Sequence, residues 1–262
     1  MPVASDATVM LLLAAPIAHV RSITVMNDLL AARGANTVVI PAHVEPDGLP
    51  DVVQALRRMR NAAGAAVTMP HKGTIGSLLD ELTDRARRCG SCNVVRREPD
   101  GRLVGDSTDG LGLVADLRAH GIDPAGSAVL VDGAGGAGRS VAAALARAGA
   151  SQVFLRARRG EQARAAAVLL DDARVVALGP DEQPPMAVSL AVNCTPVGLD
   201  GAGMAPIDVD TLRARATVYD IVMTNGPTPL LSAAVRRGLT AISGHGMMRE
   251  QLELNLSFAG AW

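Results

Sequence analysis

Two side chains in this sequence are of the types that move a proton together, and both stand where α/β folds gather ligands. Lys72 closes the run Val67-Thr68-Met69-Pro70-His71-Lys72, just past the carboxyl end of an apolar strand. Asp109 lies in Gly105-Asp106-Ser107-Thr108-Asp109-Gly110, at the junction of two predicted domains. A lysine and a carboxylate facing one cleft can hold and move the proton of a hydroxyl while hydride leaves the same carbon, because alcohol–carbonyl exchange needs an acid or base within hydrogen-bond reach. Such a lysine works when desolvation or neighbouring charge brings its pKa toward neutrality. Gly133-Ala134-Gly135-Gly136-Ala137 supplies the other half of the chemistry, since a glycine loop between strand and helix lets backbone N–H groups meet a pyrophosphate. The next strand ends in Leu155-Arg156-Ala157-Arg158-Arg159. Arginine matches a 2′-phosphate in charge and bidentate geometry, so Arg156 and Arg158 point to NADP, whereas NAD would call for an acid there.

The elements that must position these groups alternate short apolar runs, bounded by Gly or Pro, with longer amphipathic stretches. This is the pattern of an α/β protein with a largely parallel sheet. Strands are predicted over Thr8 to Ala14, Asn36 to Ala42 and Ala65 to Met69, with helices over Ile23 to Arg33 and Leu49 to Asn61. Asn93 to Arg97 and Arg102 to Gly105 read as a hairpin, because Asp100-Gly101 between them supplies the positive φ of a tight turn. A Rossmann-like series follows, with strands Ala128 to Asp132, Gln152 to Arg156, Leu190 to Cys194 and Thr217 to Met223, and helices Gly138 to Ala148 and Pro229 to Arg237. The helix Gly110 to His120 is the expected hinge, and the helix Met247 to Gly260 is expected to dock back on the first domain.

At 262 residues and 48% hydrophobic, the chain can bury a large core, and a net charge of −1 provides no basic field for nucleic acid. Aromatic residues are 2% of the chain, too few for base-stacking platforms, so a small molecule is the expected partner. The apolar start Val9 to Pro16 lacks a basic lead-in and reads as a buried strand, and no stretch is long enough to span a membrane. Cys89, Cys92 and Cys194 form no pair-of-pairs that would hold zinc, so free thiols, a cytoplasmic location and no metal are expected. His71, Cys194, Met247 and Met248 read as packing residues, and Arg57, Arg58 and Arg60 as a solvated helix face.

Pro16-Ile17-Ala18-His19, Thr68 to Lys72, Gly90-Ser91-Cys92-Asn93, Thr108-Asp109-Gly110, Gly133 to Ala137, Asn193 to Gly198, Thr228-Pro229-Leu230-Leu231, and Gly244-His245-Gly246-Met247-Met248 with Gln251 occur in this order over nearly the whole chain. The set resembles the shikimate dehydrogenase family. The resemblance implies a substrate-binding domain over residues 1–108, a Rossmann-type NADP domain over 109–243 and a C-terminal helix over 244–262 returning to the first. It implies Lys72 as the catalytic acid/base with Asp109 as its partner, Thr68, Asn93 and Gln251 as hydroxyl-binding positions, and Ser22 on the substrate carboxylate. Gly133, Ala134, Gly135, Gly136, Ala137, Arg158, Thr195, Ile221 and Gly244 fall where that family contacts NADP, and His19 orders its loop. The implied reaction is reversible hydride transfer between NADP and a ring hydroxyl of a shikimate-like or quinate-like acid, in aromatic amino acid biosynthesis, by a monomer or homodimer. Four positions depart from the family: Val20 and Ala66 replace a serine and an asparagine, Ser107 replaces an asparagine, and Met223 replaces a tyrosine. Each lost hydrogen bond to a charged group costs on the order of 1.5–3 kcal/mol, so the substrate pocket is altered while the cofactor chemistry is kept. Two alternatives stand beside this reading: a paralogue acting on another alcohol, and a nucleotide-binding sensor with no turnover.

Overall fold

The computed structural model describes residues 4–18, 20–201 and 203–262, so the role expected of His19 lies outside the described residues. The chain divides into two compact units, Met1–Thr108 with Arg249–Trp262, and Asp109–Met248.

The first unit is built on six strands. They are β1 (Thr8–Ala14), β2 (Thr37–His43), β3 (Ala62–Val67), β4 (Glu81–Leu82), β5 (Val94–Arg97) and β6 (Leu103–Asp106), in the order β2-β1-β3-β5-β6-β4. β1 runs parallel to both β2 and β3, and its continuous apolar run is what burial on two faces demands. Helices α1 (Ser22–Ala32), α2 (Leu49–Arg58) and α3 (Asp84–Cys89) complete the N-terminal part. α2 presents Leu49, Val53 and Leu56 to the core, an i, i+4, i+7 stripe in which each side chain contributes about 1.5–3 kcal/mol on burial. β5 and β6 form the antiparallel hairpin read from Asp100-Gly101, with Gly101 at φ 92°.

β3 begins and ends earlier than the predicted Ala65 to Met69. The run Ala62-Ala63-Gly64 lacks the bulk that marks a strand, yet it is buried between β1 and β5. A Cβ on Gly64 would lie 1.9 Å from the Val95 carbonyl oxygen, so small residues here are a condition of pairing.

The second unit holds α4 (Asp109–Ala119), β7 (Ala128–Asp132), α5 (Gly136–Arg147), β8 (Gln152–Arg156), α6 (Gly160–Leu170) and β9 (Val175–Leu178). It continues with β10 (Leu190–Asn193), β11 (Thr217–Asp220), α7 (Pro229–Arg236), β12 (Thr240–Ser243) and the start of α8 (His245–Phe258). All six strands are parallel, in the order β12-β11-β10-β7-β8-β9, so the winding reverses between β7 and β10. A dinucleotide lies across the carboxyl ends of the strands at such a reversal. The sequence reading missed α6, β9 and β12. It also carried β11 on to Met223; the strand stops at Asp220, whose carboxylate accepts the Val222 N–H at 3.1 Å and turns the chain away. Among the described residues, no helix is long and apolar enough to cross a membrane.

Candidate active site and cofactor cradle

In the first unit Lys72 sits on a single 3-10 turn, His71–Gly73, separated from the end of β3 by three residues. The turn is pinned from two sides. The Lys72 carbonyl accepts the Cys92 N–H at 2.8 Å, and the buried His71 imidazole donates through Nε2 to the Val44 carbonyl at 2.8 Å. A carbonyl only accepts, so this partner fixes the tautomer with the proton on Nε2. The Val67 N–H donates to the Asn93 carbonyl at 2.8 Å, which brings Thr68, Lys72 and Asn93 into one neighbourhood.

Asn93 is 2% exposed, and its side chain is fully engaged. Oδ1 accepts the Thr108 N–H at 2.8 Å, while Nδ2 donates to Thr108 Oγ1 at 2.9 Å and to Gln251 Oε1 at 3.0 Å. Thr108 Oγ1 in turn donates to Asn255 Oδ1 at 2.6 Å. Asn93 and Gln251 are thus joined directly, and Thr108 and Asn255 are network members that the sequence reading did not assign. Gln251 and Asn255 are four residues apart on α8 and so lie on one helical face, a spacing that could have marked the second residue. Ser22 opens α1 and, among the described residues, has no hydrogen bond to this network.

The turn into Asp109 is set by Asp106, which is fully buried. Its carboxylate accepts Thr83 Oγ1, the Arg85 guanidinium and the Ser107 N–H, the last at 2.8 Å. Asp109 itself opens α4 and is 1% exposed, with its charge at the positive end of the helix. The neighbouring Gly110 N–H donates to Ser140 Oγ on α5 at 3.0 Å.

In the second unit Gly133 holds φ at 112°, and a Cβ there would lie 2.8 Å from the Cys194 carbonyl carbon. A Cβ on Gly138 would lie 1.7 Å from the Gly133 carbonyl oxygen, so the loop folds tightly under the first turn of α5. Above it, a Cβ on Gly135 would meet no atom within 4 Å. The loop is therefore closed toward the protein and open outward at the N-terminus of a twelve-residue helix, which suits a pyrophosphate. Ala134 is buried beneath it, and Gly136 and Ala137 begin the helix.

Arg156 departs from the expected phosphate-binding role. It is 7% exposed, its Nε donates to Asp132 Oδ1 at 3.0 Å, and its Nη2 donates to the Pro206 carbonyl at 3.0 Å. Asp132 ends β7 beside it, and a buried carboxylate takes the nearest cation. The exposed arginines at this strand end are Arg158, the position expected to meet a 2′-phosphate, and Arg159.

Thr195, Ile221 and Gly244 follow the carboxyl ends of β10, β11 and β12. Asn193 organises two of them: its Oδ1 accepts the Thr195 N–H and hydroxyl at 2.9 and 2.7 Å, and its carbonyl accepts the Ile221 N–H at 3.2 Å. Its Nδ2 donates to Asp220 at 2.8 Å, and Asp220 also accepts the Thr228 hydroxyl at 2.6 Å. Burial pushes the Asp220 carboxyl above its ordinary pKa, against the pull of Thr228, Val222 and Asn193.

With this geometry in hand, the chain can be set beside known proteins. Residues 12–95 match the shikimate dehydrogenase substrate binding domain. The chain is 40% identical over 246 residues to the shikimate dehydrogenase (NADP(+)) of Acidiphilium cryptum, covering 90% of this chain and 84% of that one. Among solved structures it is similar to shikimate 5-dehydrogenase of Thermus thermophilus in complex with NADP(H) and shikimate, at 30% identity and a TM-score of 0.85, over 97% of this chain and 94% of that one. It is also similar to the ligand-free 5-ketofructose reductase of a Gluconobacter strain, at 27% identity and a TM-score of 0.84, over 96% and 92% of the two chains.

Proposed function

Since the chain belongs to the shikimate dehydrogenase family, we propose that it is an NADP-dependent oxidoreductase that exchanges hydride reversibly with a ring hydroxyl of a shikimate-like cyclic acid. The observation that carries the reading is the Lys72 turn bonded to Cys92, the neighbour of Asn93, whose side-chain amide is bonded to Gln251. A lysine ammonium beside donors and acceptors of this kind suits a polyol.

The glycine loop and Arg158 fit NADP: the loop leaves room only on its outer side, and Arg158 is exposed at the end of β8. NADP held by Gly133 to Ala137 and Arg158 would supply the hydride acceptor and donor. Lys72 accepts the hydroxyl proton as the carbon is oxidised and gives it back in the reverse direction. Asp109 orients Lys72 and the hydroxyl, Asn93, Thr68 and Gln251 hold neighbouring hydroxyls, and Ser22 meets the carboxylate. The three unbridged cysteines suit a reducing compartment such as the cytoplasm.

A second reading has its own support. Val20, Ala66 and Met223 offer no polar group where the family's pattern has one, and the likeness to a 5-ketofructose reductase shows the fold in an enzyme named for a ketose. In that reading the substrate is a polyhydroxy ketone without a carboxylate. Steady-state assays with NADP(H) against shikimate, quinate, dehydroshikimate and neutral ketoses decide between the two. Lys72→Ala should lower kcat about a hundred- to ten-thousandfold on whichever substrate turns over, with NADPH binding retained. Undiminished turnover in that variant removes the acid/base role.

A further inference from the structure

The chain's only tyrosine, Tyr219, is fully buried on β11, and its hydroxyl is bonded to a buried carboxylate. It donates to Asp116 Oδ2 at 2.5 Å. Asp116 is 5% exposed on α4, and among the described residues its one basic neighbour is His120, whose Nδ1 is 3.5 Å from Oδ1. What compensates this buried carboxylate is the start of α8. A Cβ on Gly246 would lie 1.9 Å from Asp116 Oδ1, so the helix backbone rests directly on the carboxylate, at the end where the helix dipole is positive. Burial and the adjacent carboxylate hold the Tyr219 phenol protonated, far above its ordinary range, so it remains the donor in this pair.

Next along the chain lie two positions that the family resemblance assigns to the cofactor. Tyr219 is two residues before Ile221, and Gly246, which rests on Asp116, is two residues after Gly244. β11 and β12 pair in parallel with Asp220 opposite Ser243, so Ile221 and Gly244 are the first residues past the carboxyl ends of adjacent strands. Their backbones touch: a Cβ on Gly244 would fall 2.8 Å from Ile221 Cα. The glycine loop follows β7 and Arg158 follows β8, so the adenosine end lies on that side of the reversal. The β10–β11–β12 side is left to the nicotinamide.

We propose that Tyr219 and Asp116 are positioning residues that fix the Ile221–Gly244 wall against the nicotinamide end of the cofactor, by clamping the end of β11 to the start of α8. The inference rests on the NADP reading above, and its test separates the two. Binding of NADPH and of adenosine 2′,5′-bisphosphate, which lacks the nicotinamide half, is measured by calorimetry on the full chain and on Tyr219→Phe. Removing the hydroxyl takes a hydrogen-bond donor from the buried Asp116 carboxylate. NADPH affinity should fall about tenfold, while the bisphosphate should bind within about twofold of wild type. Bisphosphate binding also shows that the variant is folded. If Tyr219→Phe does not fold, Asp116→Asn, which keeps the side-chain shape, is read by the same criteria. Equal loss for both ligands, or no loss for NADPH, overturns the positioning role. Wild-type protein that binds neither ligand overturns the NADP reading and this inference with it.

Discussion

Arg156 and Arg158 stand two residues apart at the end of one strand and do opposite work. Arg156 neutralises Asp132 within the fold, both side chains being about nine-tenths buried, and Arg158 is exposed. Removing one member of a buried pair leaves the other charge without compensation, so Arg156→Ala should lower unfolding stability by about 3–5 kcal/mol in urea. Arg158→Ala should leave stability in place and weaken NADP roughly tenfold or more relative to NAD, since charge-assisted bonds to the 2′-phosphate are lost. Equal destabilisation by both variants would sink the distinction. The sequence shows three arginines at one strand end and cannot say which of them has an acid as neighbour across the sheet. That depends on β7 and β8 pairing Asp132 with Arg156. Lys72, Asn93 and Gln251 were singled out in the sequence because each lies in a recognisable motif. Thr108 and Asn255 became visible as partners only when folding joined residues far apart in the chain.

At the scale of elements, the loops after β10 and β11 are held by one buried carboxylate. Asp220 takes hydrogen bonds from Asn193, Val222 and Thr228, and Thr228 also caps α7 by accepting the Leu231 N–H. Burial, the largest influence on this group, raises its pKa in the folded state. The sign follows from linkage. Below the ordinary carboxylate range both folded and unfolded chains carry the proton; as pH rises, the unfolded chain ionises first, so stability declines until the folded pKa is passed. Urea unfolding from about pH 3 to about pH 7 should show this decline, and Asp220→Asn should flatten it. Parallel pH profiles for the two proteins would rule it out. The strands flanking this region were legible from their apolar runs; the stop at Asp220 was not. Val222 and Met223 continue the apolar run in sequence, and the turn is dictated by a side-chain bond that no periodicity records.

On the whole-molecule scale, an alternation of apolar runs and amphipathic stretches was enough to read an α/β chain, because parallel strands buried on two faces have no other sequence signature. The order of the strands was beyond that reading, since every β-to-β step in the second unit is parallel and only the observed order shows where the winding reverses. The two units can be followed separately. The chain's only tryptophan, Trp262, belongs to the first, where the Arg33 guanidinium stacks over its ring at 4.0 Å, and the glycine loop belongs to the second. A ligand that binds only the folded state stabilises what it binds by RT ln(1 + [L]/Kd), about 2.7 kcal/mol at a hundred times Kd. NADP at that level should therefore slow amide exchange across β7 and α5 by the corresponding hundredfold, measured by mass spectrometry. NAD at the same concentration should do less, because it offers Arg158 no phosphate. The Trp262 fluorescence transition in urea should move only as far as the two units unfold together. A shift of the Trp262 transition with no added protection at β7 and α5 would place the cofactor on the first unit and overturn the assignment of the glycine loop.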